Sequence, residues 1–382
     1  MKKIFLSVLM TAFISAVFAA LPGEKPGESK HKLQWIDCSP MPLGKVDPAR
    51  HKDIPALRAA VFMYTRAQDS GQTVAMLENL RRQYPKKLLI AAITPDSVKD
   101  ARALKTRHPE TRFRLAVDLT RKLTPEFMNK SIMIFPMAFL LDAEGTVLWR
   151  GEAADLPEAV ARQLDGKLDI NIIKKCEPMI YKMFQAMRDN NIISARDTAL
   201  DILKIDSANA SALRMLNFTA ESMGNIRVIW NALMQAVTRN PDLPRLYFSA
   251  LDLTRRHQEL RSNLPQLIRS FGKNDFPVPV RCAFADALLN SFSFESAAVL
   301  GARDILAGTP MALNAPAEQM GHLLAVRARL HYAMGNLDSA EADMSEAVEF
   351  FKRSSDRNML MRGEHQLKFF RTLLKNRQGN AQ

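Results

Sequence analysis

No C-x-x-C pair occurs in this chain. Three cysteines, Cys38, Cys176 and Cys282, are spread over 382 residues. Dithiol exchange within one loop needs a thiolate to attack and a neighbouring thiol to resolve the mixed disulfide, so that chemistry is excluded. An odd count leaves at least one thiol without a partner in the chain. The seven histidines (31, 51, 108, 257, 322, 331 and 365) show no i,i+4 pairing and no acidic cluster suited to a metal. G-x-S-x-G, G-x-G-x-x-G and phosphate-loop patterns are missing as well. No metal and no organic cofactor is expected. The basic runs at 80–87 (LRRQYPKK) and 105–114 (KTRHPETRFR) lack the interleaved aromatics of a stacking platform. No nucleic-acid partner is expected.

Beyond residue 18 no apolar run is long enough to span a membrane. The first residues have the form of a secretion signal. Lys2 and Lys3 supply positive charge, residues 4–18 are apolar, and Val17-Phe18-Ala19 places small residues at a cleavage site. No cysteine follows to carry a lipid. Residues 1–19 are therefore expected to be removed, leaving a periplasmic protein with no stable membrane anchor. Release beyond an outer membrane is left open. The formal charge of +13 falls to +11 without Lys2 and Lys3. The basic residues are scattered and read as a solvated surface. Hydrophobic content of 47% is enough for a real core.

Residues 20–32, rich in Pro, Gly, Lys and Glu, read as a flexible leader. Residues 33–52 hold Trp35, Cys38 and three prolines and are expected to wrap the next domain, completing a leader-and-wrap segment over 20–52. From 53 to 168 strand and helix signals alternate, which implies a mixed sheet with helices on both faces. Strands are expected at 59–65, 88–93, 113–117, 138–142 and 146–150. Helices are expected at 71–83, 96–107 and 156–164, with Asp96 and Ser97 able to cap the second. Ala143-Glu144-Gly145 between two apolar runs signals a hairpin, with glycine supplying a positive φ.

The order of these pieces carries a resemblance. An apolar strand (AAVFMYT, 59–65) meets Arg66, Ala67, Gln68, Asp69 and Ser70, and then a helical run. Later IFPMAFLLD (134–142) leads through AEG into TVLWR (146–150). This resembles the thioredoxin-like redoxins of the bacterial cell envelope. In that family the strand ends in a pattern such as F-W-A-T-W-C-x-x-C. Laid on FMYTRAQDS (62–70), the cysteines fall on Ala67 and Ser70. The resemblance implies a thioredoxin-like α/β domain over 53–168 whose redox pair is gone. No shift of alignment restores it, since no cysteine lies between Cys38 and Cys176. Pro136 matches the family proline beside the active site, usually in a cis bond. Pro136 and 65–70 would then form an edge for docking an extended peptide. The plainer reading is that Pro136 only shapes a turn. Cys38 and Cys176 flank this region. They are candidates for a structural bridge, for a redox thiol, or for plain burial. Cys282, in an apolar helical run, reads as buried.

From 169 to 382 helical periodicity takes over. Asn190 and Gly224 sit 34 positions apart in similar settings, and Gln258 and Phe292 continue that spacing. The clearest unit, 324–350, resembles a tetratricopeptide repeat, with small Ala328, Gly335 at the turn, and Ala340 and Ala347 on the second helix. The period slips across 309–316, a loop by its prolines. The resemblance implies an all-α, tetratricopeptide-like helical repeat domain. The basic run 357–377 would cap it. Both domains imply a protein or peptide partner. The expected function is a non-catalytic binding or scaffold protein. The alternatives are a thiol–disulfide oxidoreductase or redox-assisted chaperone, and a purely structural envelope protein.

Overall fold

The computed structural model describes residues 20–25, 33–46, 54–128, 135–292, 295–307, 309, 315–354 and 357–379. The expected signal, 1–19, lies outside the described residues, as does most of the 309–316 loop. The chain separates into two compact units, Met1–Thr219 and Ala220–Gln382.

The first unit is built on six strands: β1 (Leu33–Trp35), β2 (Leu57–Phe62), β3 (Leu88–Thr94), β4 (Arg114–Asp118), β5 (Met137–Leu141) and β6 (Val147–Glu152). They lie in the order β1-β4-β3-β2-β5-β6. β2, β3 and β4 are parallel, while β1, β5 and β6 run against their neighbours. Helices are α1 (Ser70–Gln83), α2 (Val98–Arg107), α3 (Leu123–Phe127) and α4 (Leu156–Leu164). This is a thioredoxin-like α/β fold, and a mostly helical region follows it.

The unbroken apolar runs of β2 and β3 are buried on both faces, as central parallel strands require. Alternate residues feed two cores. Ala59, Val61, Ile90 and Leu115 meet α1, α2 and α4 through Val74, Leu77, Leu104 and Val160. Ala60, Phe62, Ile93 and Phe139 meet Leu123 and Phe127 of α3, with Met41 and Ala20 closing that side. Buried Glu78 of α1 accepts from the Phe113 amide at 2.8 Å and from Arg81 at 3.0 Å, pinning the entrance of β4.

Three differences from the sequence reading have physical causes. Residues 20–25 are docked rather than free. The Gly23 amide donates to the Val147 carbonyl at 2.6 Å, and the Val147 amide donates to Glu24 at 2.9 Å. This pairing covers the exposed edge of β6. The expected wrap contains β1, too short at three residues to show alternation. The first long strand ends at Phe62, not residue 65, because Thr65 is drawn into a turn.

Arg58 lies wholly inside the sheet, with no exposed surface. Its guanidinium donates to the Gly44 carbonyl at 2.8 Å and to the carbonyls of Pro42 and Asp142. Burial lowers its pKa, and the charge of Asp142 opposes that. One cation thus fastens the wrap to the end of β5. The neighbouring hairpin completes the fastening. Gly145 has φ +77°, and a Cβ there would stand 2.7 Å from the Gly44 carbonyl carbon.

Helices α5 (Ile170–Arg188), α6 (Ile192–Ile205) and α7 (Ala210–Met223) follow. In the first unit Arg150 of β6 pairs with Glu177 of α5, both nearly buried. Arg214 of α7 grips Asp155 with two bonds of 3.0 and 2.8 Å and Glu152 at 3.1 Å. Burial raises the Glu177 carboxyl pKa, and Arg150 counters the rise.

The second unit holds α8 (Ile226–Arg239), α9 (Pro244–Arg256), α10 (Leu264–Gly272), α11 (Val278–Ser291), α12 (Ser296–Ala307), α13 (Ala317–Ala333), α14 (Leu337–Arg353) and α15 (Arg357–Gly379). The residues marked by the 34-residue spacing fall at helix breaks. Asn190 has φ +56° and Gly224 φ +67°, Gln258 opens a 3-10 turn, and Phe292 closes α11. Gly335, between α13 and α14, has φ +81°. Among the described residues no helix is long and apolar enough to cross a membrane.

The Arg58→Leu variant should lose about 2 kcal/mol of stability, since three carbonyls lose their donor. Urea unfolding followed by circular dichroism measures this, and an unchanged midpoint would remove Arg58 from its fastening role.

Candidate functional site

β2, β3 and β4 end at one rim of the sheet, where β5 begins, and open α/β sheets bind ligands at such a rim. There the chain leaves β2 through Met63 and Tyr64 into a double turn. The Ala67 amide donates to the Tyr64 carbonyl at 3.4 Å, and the Ser70 amide to the Ala67 carbonyl at 3.0 Å. Ser70 starts α1 and is buried. Ala67 is half-buried, and Arg66, Gln68 and Asp69 are exposed. This is the placement a redox pair needs, with an accessible first position and a buried second. Neither side chain can form a disulfide.

The turn is clamped from the next strand. The Asp96 carboxylate accepts from the Thr65 amide at 2.7 Å and from its hydroxyl at 2.8 Å. The Asp96 amide donates to Thr94 Oγ1 at 3.1 Å. Arg107 of α2 donates to the Thr65 carbonyl at 2.9 Å. Asp96 and Ser97 were both expected to be able to cap α2. That role falls to Ser97, whose hydroxyl accepts from the Asp100 amide at 3.1 Å.

Pro136 precedes β5, whose Met137 pairs with Phe62, and the Phe135–Pro136 peptide is cis. Its carbonyl accepts from the Ala153 amide at 3.0 Å, extending the β5–β6 ladder. The rings of Tyr64 and Phe135 lie 4.4 Å apart. Tyr64 is 42% exposed and Leu119, at the end of β4, is 54% exposed. The rim thus mixes exposed Tyr64 and Leu119 with the exposed polar side chains of Arg66, Gln68 and Asp69. Sequence reasoning named 66–70 and Pro136 and did not name Tyr64, Phe135 or the clamp. The aromatic pair joins residues 71 positions apart, and nothing local links Asp96 to Thr65.

All three cysteines are free. Cys38 and Cys176 do not form the bridge that was one of the expectations. Cys38 follows β1 at one sheet edge and donates to the Leu115 carbonyl at 3.6 Å. Cys176 is in α5, whose next residue, Glu177, pairs with β6 at the other edge. Five strand spacings put those edges roughly 24 Å apart, and a disulfide needs Cα atoms within about 7 Å. Nor does Cys38 reach the turn. Three strand spacings separate β1 from β2, roughly 14 Å. Burial pushes the Cys176 and Cys282 thiols up to about 11. Among the described residues no three His, Cys, Asp or Glu side chains gather as a metal site.

No protein-family model matches this chain, and no curated protein matches it. Solved structures do. The bacterioferritin comigratory protein of Xanthomonas campestris, studied for alkyl peroxide reduction, is 20% identical, with 40% of this chain and 100% of that one covered and a TM-score of 0.31. The thioredoxin domain of thiol-disulfide oxidoreductase BVU-2223 from Bacteroides vulgatus is 14% identical over 37% of this chain and 96% of that one, with a TM-score of 0.27. StoA of Bacillus subtilis is 13% identical over 28% and 84%, with a TM-score of 0.24. None of these likenesses bears on chemistry.

Two outcomes follow from this geometry. In the native state one thiol, Cys38, should react with an aromatic disulfide reagent, and Cys176 and Cys282 should react only after unfolding. The folded thiols sit at about 11 against an ordinary 9.0, so their burial favours the fold below pH 9 and that preference fades as pH rises through about 11. Three native-reactive thiols would contradict the packing. Second, the double variant Ala67→Cys/Ser70→Cys should form an internal disulfide under mild oxidation, because the turn brings the two backbones within disulfide range. Intact mass before and after alkylation reads the bond. Two freely alkylated thiols would mean the turn has lost the redoxin shape.

Proposed function

We propose that this chain is an exported, non-catalytic binding protein. In this reading the thioredoxin-like domain keeps the docking rim of a redox protein after losing its redox pair. One observation carries it: Thr65, Asp96 and Arg107 hold the turn in place although no thiol is within reach. Exposed Tyr64 lies against half-buried Phe135, next to cis Pro136. A rim of this kind fits an extended peptide with apolar side chains.

The helical region then acts as a tetratricopeptide-like array that holds a protein partner. Its support is the 34-residue spacing of breaks, two of them at positive φ. Periplasmic location rests on the sequence of residues 1–19. The oxidoreductase alternative shares the fold. It would need Cys38 as its thiol, and Cys38 follows β1, three strand spacings from the β2 that leads into the turn.

The test uses the mature chain, 20–382, against an array of extended peptides with apolar residues. The Tyr64→Ala variant should bind its best peptides about tenfold more weakly, a loss of about 1.4 kcal/mol. The variant with all three cysteines changed to serine should bind as the wild type does. Binding that needs a cysteine and ignores Tyr64 would overturn this reading.

A further inference from the structure

In the second unit, α14 and α15 enclose a groove of about 510 Å³. Along α15, Lys368, Arg371 and Lys375 line it at i, i+3 and i+7, which is one helical face. Lys352 of α14 lies across from them, and Val348 and Leu367 form the nearly buried floor. The charges are unbalanced. Glu349 and Lys352 offset each other at 2.7 Å, as do Glu341 and Arg371 at 2.8 Å, which leaves Lys368 and Lys375 against Glu364. Arg371 is held in position, with Nε donating to Glu341 at 2.8 Å and Nη2 to the Ser345 hydroxyl at 3.2 Å. Lys368 and Lys375 are exposed and make no ion pair among the described residues. The rest of α15 adds Arg357, Arg362 and Arg377 and no further carboxylate.

We propose that this groove docks an acidic peptide segment. Its carboxylates would meet Lys368, Arg371 and Lys375, and an apolar side chain would rest on Val348 and Leu367. The rise of a helix spaces these cations about 4.5 and 6 Å apart. Alternate side chains of an extended strand recur about every 6.6 Å, which is near the Arg371–Lys375 spacing. An apolar floor between cations favours a segment that mixes acidic and aliphatic residues over a bare polyanion. This inference deepens the binding-protein reading, since it gives a partner chemistry to the helical region.

The probe is a short fluorescein-labelled peptide rich in glutamate with a central leucine. It is titrated by anisotropy into the chain 20–382, with a lysine-for-glutamate peptide as control. Binding should weaken about tenfold in the Lys368→Glu/Lys375→Glu variant, and added salt should weaken it too. Both lysines are exposed, and circular dichroism checks that the variant folds. The lysine peptide should not bind. Equal binding by the variant, or no binding at all, would overturn the proposal. So would phosphatidylglycerol vesicles binding with the same lysine dependence, which would assign the groove to lipid headgroups. The Tyr64→Ala variant should leave glutamate-peptide binding unchanged. Loss of this binding alone, with Tyr64-dependent binding intact, sinks this inference and spares the function proposed for the rim.

Discussion

β2 has no side chain in water. Each residue from Leu57 to Phe62 is buried, which forces both faces of the sheet to be covered and fixes where the strand ends. Even the charged residue in that run, Arg58, is buried, with its two terminal nitrogens donating to backbone carbonyls. The register of β2 against β3 and β5 then decides the rim. Phe62 pairs with Ile93 on one side and Met137 on the other. This brings the turn after β2, Asp96 after β3 and Pro136 before β5 to one place.

The rim separates two properties that redoxins combine. One is a strand–turn–helix, which here rests on Thr65 donating to the Asp96 carboxylate and accepting from Arg107. The other is a pair of thiols, which the clamp does not require. Burial of Ser70 and partial exposure of Ala67 show that the backbone keeps the two positions distinct. The shape of the rim depends on the clamp and the sheet, not on sulfur.

Much of this was legible in the sequence, and the boundary has physical reasons. The central strands could be read because two-sided burial writes a continuous apolar run. The hairpin could be read because only glycine sits easily at φ +77° against the Gly44 backbone. Helix breaks showed through Asn190, Gly224 and Gly335, where the chain needs a positive φ. Arg58 was opaque, since nothing near it in sequence says which carbonyls will meet it. Thr65 and Asp96 are 31 residues apart and announce no bond. Docking of 20–25 was hidden by a composition that otherwise marks loose chain, because the pairing uses backbone groups and not side chains. The cysteines were countable but not placeable, and only the strand order puts Cys38 and Cys176 at opposite edges.

The central claim is that this fold binds without thiol chemistry. Thiol–disulfide turnover on the chain 20–382, with a generic disulfide substrate and a Cys38→Ser control, tests it most directly. The account predicts no turnover above that control. Turnover that disappears with Cys38 would contradict it and make this chain an oxidoreductase working from the edge of its sheet.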